Sequence, residues 1–315
     1  MRSLARRLSG LLFAIAALAA LPAGAISFTN VVSLGDSLLD DGTPGDQRSP
    51  VVSQHIAARV GASHTQLAVG GATTSSLIAQ GQHTTAAANF GAGDLAVLWI
   101  GGNNFLANGS AIAVGNFSFL NSAEADMNVI LSTLTGAGLD VVVFNLPDFA
   151  GVPSVQLNVP AALRPNFTAA SIDWSNRLNA LAATYGVAVV DVFGFSQGLA
   201  ADPSAYAVGG QVPILGPTFG SKDVCPMCLF YDSIHPSSLA QGFVANAAFE
   251  AMNAFFDPTG VDPIAPLSES ELLQLVPEPS IGLLVAAGLA AALRLQRSRH
   301  VPRTKLQSSQ IARAM

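Results

Sequence analysis

Short apolar runs alternate with segments of helical periodicity along the middle of this chain, and that alternation restricts the possible fold more than any other feature. Aliphatic and β-branched residues cluster in five runs that we predict as strands, at 27–34, 65–69, 94–100, 140–146 and 187–193. Helices are predicted at 50–60, 122–138, 167–185 and 237–255. This order favours a parallel sheet with helices on both faces. We therefore predict an α/β fold, a three-layer α/β/α sandwich around a mostly parallel five-stranded sheet.

The first predicted strand runs into the sequence GDSL at 35–38, which places Ser37 at the carboxyl edge of the sheet. Open α/β sheets carry their chemistry at that edge. Far along the chain, the sequence DSIH at 232–235 supplies a carboxylate and an imidazole three residues apart. These residue types indicate nucleophilic catalysis, with Ser37 as the nucleophile, His235 as its base and Asp232 as the group that orients the imidazole.

Two further blocks, GGAT at 70–73 and GGN at 101–103, lie between the serine and histidine blocks. Four blocks in this order resemble those of the GDSL esterases and lipases, also called SGNH hydrolases, over about residues 28–256. The resemblance implies a flavodoxin-like fold, hydrolysis of carboxylic esters through an acyl-enzyme, and no metal or organic cofactor. Asn104 stands where many members of the family have an aspartate, which bears on the geometry of that loop.

The resemblance also implies an oxyanion hole formed by the backbone N–H groups of Ser37 and Gly71 and the side-chain amide of Asn103. Glycine at position 71 lets the main chain approach a substrate without a Cβ in the way. A neutral amide donor suits an oxygen that becomes negative in the transition state. The alignment of the glycine pair leaves Gly70 as an alternative donor.

The charge of the chain is unevenly distributed. All 20 acidic residues but only five of the 14 basic residues lie within 26–279. Nucleic acid binding depends on Lys and Arg at phosphates, so this acidic body argues against such a partner. The resemblance to the GDSL esterases implies instead a small-molecule, lipid or acylated-sugar ester as partner, and we expect the chain to act as a monomer.

The first 25 residues have the three parts of a secretory signal peptide. Residues 1–10 contain three arginines, residues 11–21 are apolar, and Ala23-Gly24-Ala25 is a small-residue cleavage site. The apolar run is shorter than the roughly 20 residues that span a bilayer. We therefore expect export and removal of this segment by signal peptidase.

The other end of the chain resembles a PEP-CTERM sorting tail of Gram-negative bacteria, with Pro-Glu-Pro at 277–279, an apolar stretch at 281–293 and arginines after it. Basic residues behind a short apolar segment predict transient inner-membrane association. The resemblance implies cleavage by an exosortase-type enzyme and release to the cell surface or matrix; a simple C-terminal membrane anchor is the alternative.

The predicted organisation is signal peptide 1–25, hydrolase domain 26–258, linker 259–275, sorting signal with a short transmembrane segment 276–300, and basic tail 301–315.

Cys225 and Cys228 are the two cysteines of the chain. Their spacing also occurs in redox and metal sites, but zinc would need further ligands. An exported protein favours a disulfide. We expect that disulfide to hold the loop that leads to Asp232.

Two alternatives remain open at this stage. The sequence GFSQG at 194–198 matches the nucleophile elbow of α/β-hydrolases and would make Ser196 the nucleophile. That elbow requires a long helix directly after the serine, which the sequence here does not predict. The second alternative is a non-catalytic extracellular module that binds polysaccharide, for which a catalytic set of side chains would have no use.

Overall fold

The computed structural model describes residues 26–42, 49–217 and 225–276, so the predicted signal peptide and residues 277–300 of the predicted sorting signal lie outside the described residues. Its central sheet contains β1 Asn30–Gly35, β2 Ser63–Gln66, β3 Leu95–Trp99, β4 Asp140–Phe144 and β5 Ala188–Val190. The strand order is β2-β1-β3-β4-β5, and every neighbouring pair is parallel. A separate parallel pair is formed by β6 Ile214–Pro217 and β7 Cys228–Phe230. The predicted five-stranded parallel sheet is confirmed.

Helices cover both faces of this sheet. One layer contains α1 and α10, and the other is built mainly from α3, α6 and α8. The helices are α1 Val52–Val60, α2 Thr74–Ala79, α3 Gln82–Asn89, α4 Gly102–Ala107, α5 Gly109–Ala113, α6 Phe119–Gly136, α7 Pro153–Asn158, α8 Pro165–Tyr185, α9 Val192–Ala201, α10 Ser238–Phe256 and α11 Glu269–Leu275. Single 3₁₀ turns lie at Phe149–Gly151, Ala161–Leu163 and Pro203–Tyr206. Within the described part of the chain, no helix is long and apolar enough to cross a bilayer.

The burial of the strands explains why they read as unbroken apolar runs. All residues of β3 are buried, as are all but the first residue of β1 and of β4, because helices lie on both sides of them. Helix α6 shows the complementary pattern, with an apolar face that is buried against the sheet and its neighbouring helices at Leu120, Ala123, Met127, Ile130, Leu131 and Leu134. Each large aliphatic side chain buried in this way contributes about 1.5–3 kcal/mol.

Two regions differ from the sequence prediction. Residues 149–166, for which the sequence predicts neither helix nor strand, contain α7 and two 3₁₀ turns, and residues 194–201, also outside the predicted elements, contain most of α9. The low helix propensity of the glycines in α9 is overcome by packing of Val192 and Leu199 and by Asp191, whose side chain accepts a hydrogen bond from the N–H of Gly194 at the helix start.

The segment 259–275, interpreted as a linker, contains α11. Ser268 and Glu271 form a capping box at the start of this helix, Leu272 is buried, and the helix packs against α10. Glu271 also pairs with Arg59 of α1 at 2.9 Å. Residues 269–275 of the predicted linker therefore form a helix that packs onto the body of the fold.

Candidate active site

The end of β1 fixes the backbone from which Ser37 projects. Gly35 has φ +144°, and a Cβ at this position would lie 2.0 Å from the carbonyl oxygen of Trp99, so only glycine fits. The buried side chain of Gln82 accepts from the N–H of Gly35 at 2.9 Å and donates to its carbonyl at 3.1 Å. These contacts hold the last residue of the strand, and Ser37 follows at the sheet edge.

The structure brings the serine, histidine and aspartate together across 198 positions of sequence. The Oγ of Ser37 lies 2.8 Å from Nε2 of His235. The other ring nitrogen, Nδ1, lies 2.7 Å from Oδ2 of Asp232. The side chains of His235 and Asp232 are 19% and 41% exposed, so this part of the site faces solvent. Serine, imidazole and carboxylate thus form one hydrogen-bonded row.

Asp232 is held by its own turn. Its Oδ1 accepts hydrogen bonds from the N–H groups of Ile234 at 2.8 Å and His235 at 2.7 Å. Burial works to raise the pKa of this carboxyl, but the bond to the His235 ring and these two backbone bonds outweigh it and lower the pKa to about 2. Asp232 is therefore ionised at neutral pH. The disulfide between Cys225 and Cys228 lies at the start of β7, directly before this turn.

Asn103 and Asp36 meet beside the serine. The Nδ2 of Asn103, at the start of α4, donates to the carbonyl of Ala72 at 3.0 Å and to Oδ2 of Asp36 at 3.2 Å. Asp36 is 1% exposed. Burial raises the pKa of Asp36 to about 7, and the hydrogen bond from the N–H of Leu38, the neighbouring His235 and the Asn103 amide limit the rise.

The two glycines of the GGAT block differ in their hydrogen bonding. The N–H of Gly70 donates to Oδ2 of Asp40 at 2.8 Å. Gly71 has φ +79°, a left-handed conformation that favours glycine. Among the described residues, no atom accepts a hydrogen bond from the Gly71 N–H. The Oδ1 of Asp40 is engaged as well, since it accepts from Nε2 of Gln66 at 2.9 Å.

A known protein family matches a stretch of the chain that contains both Ser37 and His235. The model of the GDSL-like lipase/acylhydrolase family matches residues 33–241, about two thirds of the chain. The chain belongs to this family. It is accordingly a hydrolase that acts on carboxylic esters.

Solved structures of low sequence identity align with most of the chain. A catalytic mutant of an acetylxylan esterase from Geobacillus stearothermophilus superposes on this hydrolase with a TM-score of 0.49 at 14% identity, covering 72% of this chain and 94% of its own. A lipolytic G-D-S-L family protein from Veillonella parvula gives a TM-score of 0.45 at 13% identity, covering 71% and 98%. No curated protein matches the chain.

Asn104, which departs from the common family pattern, supports the loop of the GGN block through hydrogen bonds to Thr74. Its Oδ1 accepts from the N–H of Thr74 at 3.1 Å and its Nδ2 donates to the Thr74 hydroxyl at 3.1 Å. That hydroxyl donates in turn to Asp126 of α6 at 2.7 Å. The amide therefore connects the loop of the GGN block to the start of α2, a supporting role that a carboxylate could fill only in part, because it lacks the N–H donor.

Ser196 lies inside helix α9 of the hydrolase and not on a strand-to-helix turn. Its Oγ donates to the carbonyl of Phe193 at 2.8 Å and accepts from the N–H of Asp148 at 2.9 Å. The first bond is internal to α9, and the second connects α9 to the loop after β4. The geometry required of a nucleophile elbow is absent at this serine.

Several residues that position the site carry no recognisable sequence signal. Gln82, Asp40 and Gln241 are single polar residues outside any motif. The buried Gln241 of α10 accepts from the N–H of Val52 at 3.0 Å and donates to the carbonyl of Leu38 at 2.9 Å, which ties two helices to the serine loop. A lone glutamine more often lies on the surface, so composition alone could not have identified it. In the described ranges, no cluster of three His, Cys, Asp or Glu side chains could hold a metal ion.

Proposed function

We propose that this hydrolase is an exported serine esterase in which Ser37, His235 and Asp232 form the catalytic triad. The observation that carries the proposal is the continuous hydrogen-bonded row from the Ser37 hydroxyl through the imidazole to the Asp232 carboxylate, with contacts of 2.8 and 2.7 Å. Ionised Asp232 accepts from Nδ1–H, which leaves Nε2 unprotonated and directed at the serine hydroxyl.

The reaction proceeds in two halves. The Oγ of Ser37 attacks the ester carbonyl while its proton passes to Nε2 of His235, and the resulting tetrahedral intermediate collapses when the imidazolium gives that proton to the departing alcohol oxygen. A water molecule then gives a proton to His235 and attacks the acyl-enzyme. Collapse of the second intermediate releases the acid and restores the Ser37 hydroxyl.

The proposed oxyanion hole consists of the backbone N–H groups of Ser37 and Gly71 and the Nδ2 of Asn103. Gly71 is preferred to Gly70 because the Gly70 N–H already donates to Asp40. Asn103 donates to two acceptors, and an oxyanion would share or take over the longer of these contacts, the 3.2 Å bond to Asp36. Donors held in place before the reaction stabilise developing charge without reorganisation.

Export is proposed from the sequence of the two ends, which lie outside the described residues. The signal-peptide pattern at 1–25 and the sorting-tail pattern at 276–300 support release at the surface or matrix of a Gram-negative bacterium. Expression of the full chain in such a host, followed by immunoblotting of cell and medium fractions, tests this. A full-length chain retained in the cytoplasm would contradict it.

Turnover of simple esters by the purified protein tests the enzymatic proposal against a non-catalytic polysaccharide-binding role. The wild-type protein is expected to hydrolyse p-nitrophenyl esters, Ser37→Ala to lose this activity, and Ser196→Ala to retain it. Polysaccharide binding without turnover of any ester would favour the binding module instead.

A further inference from the structure

A cavity opens directly beside the Ser37 hydroxyl and His235. It encloses about 890 Å³ of empty space when its open mouth is included. Its walls come from β3, the loop after β4, α9, β7 and α10, and they include the buried apolar side chains of Trp99, Leu146, Phe149, Leu199, Leu229 and Val244. The cavity therefore offers a substrate mostly apolar surface next to the reacting atoms.

The polar groups in this lining already have partners within the protein. Outside the catalytic loops, Ser196 is the one lining residue with a hydroxyl, and its Oγ both donates to Phe193 and accepts from Asp148. The indole N–H of Trp99 donates to the carbonyl of Asn145 at 3.1 Å. A sugar hydroxyl that entered the cavity would lose its hydrogen bonds to water. The polar groups of the walls are already hydrogen-bonded within the protein and would not replace those bonds, so entry is unfavourable.

The mouth of the cavity is apolar as well. Leu106 of α4 and Leu215 of β6 line it, and they are 40% and 46% exposed. Aliphatic side chains at the opening extend the apolar surface from the buried walls outward. A chain too long for the cavity could therefore remain in contact with apolar atoms as it leaves.

Solvent access indicates which half of the ester occupies the cavity. The alcohol must leave beside His235 and be replaced there by water, and the Asp232–His235 side of the site is the solvent-facing one. The acyl group stays bonded to Ser37 through both halves of the reaction. The apolar cavity on the other side of Ser37 therefore suits the acyl group, which has no need to leave until hydrolysis is complete.

We propose that this cavity binds an unbranched aliphatic acyl chain, and that the substrates are esters of fatty acids and not acetylated sugars. The inference rests on the proposed function, because it assigns the acyl-binding side of the same site. Each methylene that leaves water for an apolar environment should raise kcat/KM up to about fourfold until the cavity is filled.

Two ester series separate acyl from alcohol recognition. The first consists of p-nitrophenyl acetate, butyrate, hexanoate and octanoate, each used below its aggregation limit; the second consists of alkyl acetates with alcohols of the same lengths. We expect kcat/KM to rise at least about 100-fold from acetate to octanoate in the first series and to change little in the second. We expect a lower kcat/KM for acetylated xylo-oligosaccharide than for p-nitrophenyl octanoate.

Substitutions at the mouth test the cavity itself. Leu106→Gln and Leu215→Gln change half-exposed side chains, so folding should survive, and each is expected to lower the octanoate-to-acetate ratio of kcat/KM about fivefold or more. Leu273→Gln is the matched control, since Leu273 is 41% exposed on α11 and does not line this cavity. It should leave the ratio unchanged.

The outcomes separate this inference from the proposed function. A preference for acetate or acetylated sugar, a rise that follows the alcohol length, or a ratio unaffected by both mouth variants would overturn the acyl-chain proposal while leaving the esterase intact. Absence of turnover on every ester would refute the proposed function, and this inference with it.

Discussion

The Asp40 carboxylate accepts a hydrogen bond from the backbone N–H of Gly70 at 2.8 Å, and this contact joins the loop that carries Ser37 to the loop of the glycine pair. Asp40 lies three residues after the serine, and its second oxygen is held by Gln66 at the end of β2. The position of the Gly71 N–H relative to Ser37 therefore depends on a carboxylate that takes no part in proton transfer.

Removal of this carboxylate should misplace the proposed oxyanion donor. Asp40→Ala is expected to lower kcat about 10- to 100-fold with little change in KM, because a displacement of a fraction of an ångström affects the transition state more than substrate binding. Asp202→Asn is the control, since Asp202 also accepts from a backbone N–H but lies outside the site. Steady-state kinetics of both variants measure the effect, and an Asp40→Ala enzyme with wild-type kcat would contradict it.

Loss of the Asn103 amide should act on the transition state directly. One missing oxyanion donor typically costs about 2.7–4 kcal/mol, so Asn103→Ala is expected to lower kcat about 100- to 1,000-fold. The exposed Asn89 of α3 provides a matched control, because its Nδ2 donates only to a carbonyl of its own helix. Equal effects of Asn103→Ala and Asn89→Ala on kcat would exclude the oxyanion role.

Asp232 should affect catalysis by fixing the orientation and tautomer of the His235 imidazole. Asp232→Asn keeps the shape of the side chain but can donate to Nδ1, which would place the ring proton on Nε2, facing the serine. We expect kcat to fall about 10⁴-fold, as for removal of the orienting carboxylate in other serine hydrolases. Steady-state kinetics together with far-UV circular dichroism distinguish this effect from unfolding. Near-normal activity in the folded variant would show that another group orients His235.

Asp36 should make the stability of the protein depend on pH. Burial raises the pKa of this carboxyl from 3.8 to about 7, so in that interval the folded chain retains a proton that the unfolded chain has released. The free energy of unfolding should therefore fall as pH rises from about 4 to 7, by on the order of 4 kcal/mol from this group.

The substitution Asp36→Asn should remove that dependence, because the amide does not titrate. Denaturant unfolding of wild type and variant at about pH 5 and about pH 8 measures the difference. The variant should gain stability relative to wild type at the higher pH. An identical pH dependence in both proteins would mean that Asp36 does not titrate in this interval.

The residues of the candidate site could be predicted because each belongs to a short sequence pattern with a physical requirement. Ser37 directly follows a buried strand, and Asp232 lies three residues before His235 on one turn. The sequence places these groups after strands or before a helix, and a parallel sheet brings such positions to one edge. Fold class, strand number and candidate triad could therefore all be inferred before the structure.

The supporting contacts were not predictable, since they arise from tertiary proximity of single residues. Gln82 and Gln241 look like surface amides in the sequence and are buried in the structure. Helix α9 has a glycine-containing sequence that local propensity disfavours, and its stability comes from packing. The start of α11 did carry a capping-box signal at Ser268 and Glu271, which the composition of the surrounding segment obscured.

Covalent labelling of the nucleophile tests the central proposal most directly. The purified protein would be treated with a fluorophosphonate, digested and mapped by mass spectrometry, with His235→Ala treated in parallel. One phosphonate adduct on the peptide that contains Ser37, together with loss of labelling in His235→Ala, is the expected result. An adduct on Ser196, or an unmodified Ser37 in fully folded protein, would contradict it.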